Sequence, residues 1–132
     1  MAEQRQAIGI AKIPIRQQWD KTFGGSDYDN LHAIVPTSDG GFLLGGDSNS
    51  GQGGDKSENS RGETDYWVVK IDAAGRKQWD KTFGGNDYDV LMAIVPTSDG
   101  GFLLSGYSRS GQGDDKSENR RGGNDYWVVK IK

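Results

Sequence analysis

An internal repeat covers most of this chain and limits the folds that it can adopt. Residues 18–72 align without a gap to residues 78–132, and the two copies differ at 11 of the 55 paired positions. The octapeptide QWDKTFGG opens both copies. A repeat of this kind is typical of architectures that stack one supersecondary unit on the next. We therefore divide the chain into a leader, residues 1–17, and two repeat units, residues 18–77 and 78–132.

The composition restricts the classes of protein that the chain can represent. Its 132 residues fit one domain or one protomer of a symmetric assembly. Only 33% of the residues are hydrophobic and 21 are glycine, so each unit has a thin core and needs a neighbour to cover its apolar face. The net charge of −3 argues against a nucleic-acid partner. The absence of cysteine excludes disulfides, thiolate zinc sites and thiol nucleophiles.

Neither a membrane span nor a targeting segment is predicted. No apolar run reaches the roughly 20 residues that a spanning helix needs. Residues 1–17 lack the basic, apolar and small-residue regions of a signal peptide. The sequence alone therefore leaves the localisation open between the cytoplasm and an export from which a signal has been removed.

Each unit reads as four short strands. In the second unit, residues 78–83, 90–97, 102–108 and 125–131 are rich in β-branched and aromatic residues and have the length of strands. The SDGG turn before the third of these contains Asp-Gly, which is a hairpin signal. The same pattern recurs in the first unit, where residues 18–23 are the matching first strand. With no helical periodicity, the chain is predicted to be all-β.

Two long polar segments interrupt this pattern. Residues 48–65 and 108–125 contain few apolar residues, yet both retain SGQG and DKSEN. Loops of this length in a compact domain are either functional or disordered. An ordered surface or interface loop, a ligand-binding loop and a disordered segment are all compatible with the sequence.

Three motifs in a fixed order resemble a known class of repeat. WDKTFGG, TSDGGFLL and DYWVVKI are similar to the repeats of secreted bacterial and archaeal propeller-like proteins, and the likeness covers residues 18–132. The resemblance implies four-stranded blades arranged around an axis, and a secreted or cell-surface location. It implies no defined activity.

Two blades cannot close a propeller, which typically has about 4–8. We expect several chains to close a ring, with six blades from three chains or eight from four. In that case residues 18–23 of one chain would complete the sheet that ends with residues 125–131 of another. The leader, with Ile8, Ile10, Ile13, Pro14 and Ile15, would add an arm or strand at that seam. The alternatives are a monomeric pseudo-twofold sandwich or barrel, or a fragment of a larger repeat protein.

Carboxylates and aromatic rings recur together in DYD and DYW and are the candidate ligand-binding residues. Aromatic faces stack on sugar rings and carboxylates accept hydrogen bonds from sugar hydroxyls, so this pairing suits glycans. The same residue types occur as the acid and nucleophile of glycosidases. A competing interpretation is that the aspartates cap turns. The candidates are Asp27, Tyr28, Asp29, Asp65, Tyr66, Trp67, Asp87, Tyr88, Asp89, Asp125, Tyr126 and Trp127.

Other chemistry receives little support. His32 is the single histidine, and Met92 replaces it in the second unit, so it does not serve as a shared catalytic base. The segment from Asp47 approaches a calcium-loop pattern, but Gln52 stands where that loop requires glycine. A looser oxygen-ligand site that uses Asp27, Asp29 or Asp55 and their counterparts in the second unit stays open as an alternative to that calcium loop. We predict no metal and no cofactor.

The sequence therefore favours a non-catalytic, self-assembling repeat protein that acts as a structural or interaction module. The first alternative is a multivalent, lectin-like ring that binds glycans, in which repeated weak sites gain avidity. The second alternative is a glycoside hydrolase. The near-identity of the units is also compatible with an engineered origin.

Overall fold

The computed structural model describes residues 14–132, which form seven antiparallel β-strands in two sheets. The order of strands follows the chain, β1-β2-β3-β4 in the first sheet and β5-β6-β7 in the second. The described residues contain no helix, in agreement with the predicted all-β meander. The strands are β1 (Asp29–Pro36), β2 (Phe42–Ser48), β3 (Asp65–Ile71), β4 (Lys77–Phe83), β5 (Asp89–Pro96), β6 (Phe102–Ser108) and β7 (Asp125–Ile131).

Turn residues determine where the first hairpin of each sheet reverses. Gly40 and Gly100 have φ angles of 87° and 86°, which glycine adopts without the steric cost of a Cβ. Each follows an aspartate, as the Asp-Gly signal predicts. The prolines Pro36 and Pro96 are the last residues of β1 and β5, because proline has no N–H to continue the ladder.

The two sheets repeat the same register. Leu44 pairs with Val69 in the first sheet, and Leu104 pairs with Val129 in the second. Both sheets also carry an irregularity at the same point, between Leu31 and Ala33 in β1 and between the equivalent residues in β5. Repeated sequence therefore produces repeated backbone structure down to the bulge.

Residues 18–23 are not a strand in this structure, which corrects the prediction made for them. The predicted strand at residues 78–83 pairs in the first sheet, as β4, so the second sheet has three strands rather than four. A strand requires a neighbouring backbone to pair with, and no strand of residues 14–132 pairs with residues 18–23. This segment instead lies over the first sheet, where Phe23 packs against Trp67, Val69 and Ile71. Of the predicted leader strand, residues 1–13 lie outside the described residues, and Ile15 is exposed.

The main core lies between the two sheets. Leu43, Tyr66 and Val68 of the first sheet meet Leu91, Ile94 and Leu104 of the second, and all six are buried. We call this contact the buried interface. The opposite side of the first sheet, which carries Leu44, Trp67 and Val69, is its outer face. The opposite side of the second sheet, which carries Leu103, Tyr126 and Val128, is the outer face of that sheet.

The two polar loops have the same internal structure. Residues Gly53 and Lys56 form an isolated antiparallel bridge, and Gly113 and Lys116 form its equivalent. In each loop the buried lysine donates to a main-chain carbonyl, at Glu58 in the first and Glu118 in the second.

In the described part of the chain, no helix is long and apolar enough to cross a membrane.

Candidate functional site

The strongest asymmetry in the molecule lies between two identical strands. β3 and β7 share the sequence DYWVVKI, but every residue of β3 is buried, whereas exposed and half-buried residues alternate along β7. Tyr66 is 0% exposed and its equivalent, Tyr126, is 96% exposed. The difference arises because the second sheet covers Tyr66, while the outer face that carries Tyr126 is uncovered in the described part of the chain.

Tyr66 shows what this position does when it is covered. Its hydroxyl donates a hydrogen bond of 2.7 Å to the main-chain carbonyl of Trp127 in the second sheet. Its ring also packs against the indole of Trp127, with 4.8 Å between the ring centroids. A buried tyrosine whose hydroxyl has a partner is a favourable interface residue. Tyr126 has the same chemistry and the same position in its sheet.

The first sheet shows the complementary asymmetry on its outer face. Leu91 and Ile94 are 0% and 6% exposed in the buried interface. Their equivalents, Leu31 and Ile34, are 61% and 55% exposed. These two side chains line a groove of about 240 Å³, which Trp67 and Trp19 also line. Large exposed apolar side chains that adjoin one another mark interaction surfaces.

The first polar loop joins the two sheets. Arg61 Nε lies 3.0 Å from a carboxylate oxygen of Asp115, and the Asp89 N–H donates a 2.7 Å hydrogen bond to the carbonyl of Thr64. The equivalent groups of the second loop, Arg121 and Asn124, are exposed. The first loop is therefore an interface loop in this chain, and the second presents the same groups outward.

The aspartates of the DYD segments are held by local polar groups. Asp29 accepts hydrogen bonds from the Gly25 N–H and from the hydroxyls of Ser48 and Ser50. Asp89 accepts the equivalent set from Gly85, Ser108 and Ser110. Asp27 and Asp87 each accept from the N–H of the following tyrosine. These contacts are those of turn-capping residues.

The side chains of Tyr28 and Tyr88, by contrast, are exposed to solvent. Tyr28 is 74% exposed and Tyr88 is 42% exposed, each next to an aspartate at the start of a sheet. The guanidinium of Arg109 lies 6.0 Å from the centre of the Tyr88 ring. The structure thus separates the DYD candidates into turn-capping carboxylates, of which only Asp89 is fully buried, and exposed rings.

The DYW candidates divide between the buried interface and the outer faces. Asp65 and Tyr66 are fully buried. Trp67 is also buried, and its indole N–H donates 3.0 Å to Asp80. Of their equivalents, Tyr126 is exposed, and Asp125 and Trp127 are half-buried.

Two buried carboxylates lie close enough to influence each other. Burial raises the pKa of Asp65 to about 6, and the carboxylate of Asp89 adds to the rise. Burial likewise raises the pKa of Asp89, against the hydrogen bonds from Gly85, Ser108 and Ser110. One oxygen of Asp65, Oδ1, has no hydrogen-bond partner within residues 14–132. Because both side chains are 0% exposed, no substrate reaches them in this arrangement.

No group of three or more metal-binding side chains occurs among residues 14–132. His32 lies beside Asp47, with 2.7 Å between its Nε2 and the carboxylate oxygen. In the second unit Met92 and Tyr107 replace this pair. The histidine therefore belongs to a local polar pair that the second unit does not keep.

The sequence alone did not indicate that the apolar residues of the outer faces are exposed. Leu31, Ile34 and Val128 resemble ordinary core residues in the sequence, and only the arrangement of the sheets shows that they are exposed. One signal was present in the sequence. Within the strands the units differ at four positions, 30/90, 32/92, 45/105 and 47/107, and these lie close together on the hairpin of β1 and β2 or its equivalent.

Comparisons with known proteins give no family assignment. No protein-family profile matches the chain, and no curated protein is significantly similar to it.

Proposed function

We propose that this chain is a non-catalytic, self-assembling repeat protein, whose copies stack head to tail into a closed ring of blades. The observation that carries the proposal is the contrast between Tyr66 and Tyr126, at 0% and 96% exposure in identical strands. An exposed tyrosine flanked by an exposed Val128 leaves an apolar surface that a second copy would cover.

The buried interface serves as a template for the contact between copies. The side chains that the second sheet contributes to it are Phe102, Leu104, Trp127, Val129 and Ile131, together with Leu91 and Ile94. Every one of these has an identical equivalent on the outer face of the first sheet, namely Phe42, Leu44, Trp67, Val69 and Ile71, together with Leu31 and Ile34. The outer face of the first sheet therefore has the chemistry needed to receive the outer face of a second sheet from another copy.

The positions at which the units differ support two distinct interfaces. Gly45 and Asp47 lie on the side of the first sheet that enters the buried interface. Ser105 and Tyr107 replace them on the outer face of the second sheet. On the opposite side of each sheet, the equivalent residues Leu44 and Leu104 are identical. The units therefore differ at side chains that face the buried interface in the first unit and would face the contact between copies in the second unit.

A contact of this kind joins different surfaces of the two partners. Such head-to-tail contacts form rings when the rotation between copies closes, and open filaments when it does not. A propeller closes with about 4–8 blades. We therefore propose rings of three or four chains, with a structural or interaction role.

A matched pair of variants tests the proposal. Val128→Glu places a charge on the outer face of the second sheet, where the side chain is 55% exposed and its loss leaves the core unchanged. Ser98→Glu adds the same charge at an exposed hairpin turn, away from both outer faces. We expect sedimentation velocity to show assembled wild type, assembled Ser98→Glu and monomeric Val128→Glu. Identical sedimentation of the three proteins would contradict the proposal.

The exposed rings favour glycan binding as a second candidate function. Tyr28 and Tyr88 stand open in both units, and Trp19 and Trp79 are 44% and 43% exposed. A ring would repeat such sites and increase avidity. A glycan array with wild type and a Tyr28→Ala, Tyr88→Ala double variant tests it. We expect signals that the double variant loses, and an array without signals would remove this candidate.

The geometry of the aspartates gives less support to a glycoside hydrolase. Asp29 and Asp89 each accept three hydrogen bonds from turn groups, and Asp65 is buried. A glycosidase instead needs two carboxyl groups that face a sugar across its scissile bond. We therefore propose that the chain has no catalytic activity of this kind.

A further inference from the structure

β4 occupies a slot that side chains of the first loop help to form. Glu58 accepts hydrogen bonds from the Thr82 N–H, at 2.9 Å, and from the Lys81 ammonium group, at 3.0 Å. Asp80, in β4, accepts from the Trp67 indole N–H and from the Ser57 N–H. These contacts add to the main-chain pairing of β4 with β3. The slot therefore recognises both the backbone and the side chains of the strand.

The second unit contains the same slot, and no strand of the described residues occupies it. Ser117, Glu118 and Trp127 are the equivalents of the residues that hold β4, and they line a groove of about 500 Å³ beside β7. The Glu118 side chain is 73% exposed, whereas that of Glu58 is 28% exposed. Among residues 14–132, no strand pairs with this edge of β7. An unpaired edge of this kind is a template for a strand from another chain.

The chain also carries a second copy of the strand that fits the slot. Residues 18–23 and 78–83 both read QWDKTF. The Gly24 carbonyl accepts from the Asp55 N–H at 2.9 Å, and the Gly24 N–H donates to the Asp55 carboxylate at 3.0 Å. Gly84 makes the same two contacts with Asp115. Residues 18–23 thus lead through Gly24 into β1 of the first sheet, in the same way that β4 leads through Gly84 into β5 of the second sheet.

We propose that residues 18–23 of one copy pair antiparallel with β7 of a second copy and become the fourth strand of its second sheet. This inference rests on the proposed head-to-tail assembly and specifies how the seam is closed. The pairing of β3 with β4 fixes the register. Phe23 lies opposite Tyr126, Thr22 opposite Trp127, and Lys21 opposite Val128. The Asp20 carboxylate then accepts from the Trp127 indole N–H and from the Ser117 N–H.

Cysteine pairs test this register directly, because the chain has no cysteine of its own. Residues directly opposite each other in an antiparallel pair lie within the Cα separation that a disulfide allows. We mix two single variants, Lys21→Cys and Val128→Cys, under mild oxidation and resolve the products by denaturing electrophoresis. The expected product is a disulfide-linked pair that contains one chain of each variant.

Two controls make the result specific. Val68→Cys with Lys81→Cys in one chain reproduces the observed pairing within the first sheet, and it should form a link inside a single chain. Thr22→Cys mixed with Val128→Cys shifts the register by one residue between two exposed positions, which places the two thiols on opposite sides of the sheet, so little link should form. The exposed positions of Lys21 and Val128 make both cysteine variants compatible with folding.

The outcomes separate this inference from the proposed function. A link between Lys21→Cys and Val128→Cys, with the shifted pair unlinked, supports strand donation in the stated register. If the reduced proteins have the mass of an assembly and the pair within the first sheet links, but Lys21→Cys and Val128→Cys do not, strand donation is overturned and the assembly stands. A monomeric mass for the reduced proteins overturns both.

Discussion

The residue that best reports on the environment inside this fold is Asp65. Its carboxylate is fully buried, and the folded state raises its pKa to about 6, mainly through burial. The folded chain therefore holds this proton more tightly than the unfolded chain does. The stabilising contribution is complete below the ordinary aspartate pKa of 3.8 and is lost as the pH rises through about 6.

The substitution Asp65→Asn tests this linkage. Asparagine carries no charge at any of these pH values, so the free energy of unfolding of wild type minus that of the variant should fall between about pH 4 and about pH 6. Urea unfolding at several pH values measures the difference. Asp125→Asn, at the half-buried equivalent, is the matched control. A difference that stays constant across this window would contradict the account.

The hydroxyl of Tyr66 makes a second prediction at the residue scale. Tyr66→Phe removes the donor to the Trp127 carbonyl in the buried interface and leaves that carbonyl without this partner. We expect a loss of about 1–2 kcal/mol in the free energy of unfolding. Tyr126→Phe should leave the stability of a dissociated chain unchanged, because its hydroxyl is exposed. Equal losses in dilute samples of the two variants would be the contrary result.

At the scale of the strands, close backbone approach restricts which residues the hairpins accept. A Cβ on Gly46 would lie 1.7 Å from the carbonyl oxygen of Asn30 in the neighbouring strand. Gly106 has the same relation to Val90, at 1.9 Å. Glycine at this point of β2 and β6 is therefore a requirement of the pairing next to the bulge.

The change Gly46→Ala should cost about 2–3 kcal/mol in the free energy of unfolding, since the strands must separate to admit the methyl group. Gly123→Ala is the control, because a Cβ there would meet no atom within 4 Å. Urea titration compares the two variants. A Gly46→Ala variant as stable as the control would show that the bulge adapts to the methyl group without cost.

Much of the strand structure could be predicted from the sequence. Residues 102–108 and 125–131 are strands with the predicted bounds, and the Asp-Gly hairpin lies where predicted. Local composition and turn chemistry determine these features. The failure at residues 18–23 has a different cause, because a sequence with strand character becomes a strand only where another backbone pairs with it.

The candidate site was predictable only in part. Asp29 and Asp89 lie beside a tyrosine in the sequence, as the carboxylates of a ligand site would. The serines that donate hydrogen bonds to them, among them Ser48 and Ser108, are distant in the sequence and lie in a neighbouring strand. The exposure of Leu31 depends on which side of its sheet the second sheet covers, and this is a property of the arrangement rather than of the residue. Both features become clear when equivalent residues of the two units are compared.

At the scale of the whole molecule, one sheet-to-sheet contact is formed within the chain. Within residues 14–132, the outer face of the second sheet is left open, and so is the part of the first sheet's outer face that residues 18–23 do not cover. Tyr126 and Val128 lie on one outer face, and Leu31 and Ile34 lie on the other. A copy that stacks on each outer face would bury both sets, as the buried interface already does for their equivalents. Under this account, the stability of the folded chain increases with protein concentration.

The mass of the protein in solution tests this claim most directly. Light scattering on the column-purified chain should give a single species of three or four times the 14.4 kDa chain mass, without the larger oligomers that an open filament would form. A particle of 14.4 kDa at micromolar and higher concentrations would contradict the account, because Tyr126 and Leu31 would then remain exposed without a partner.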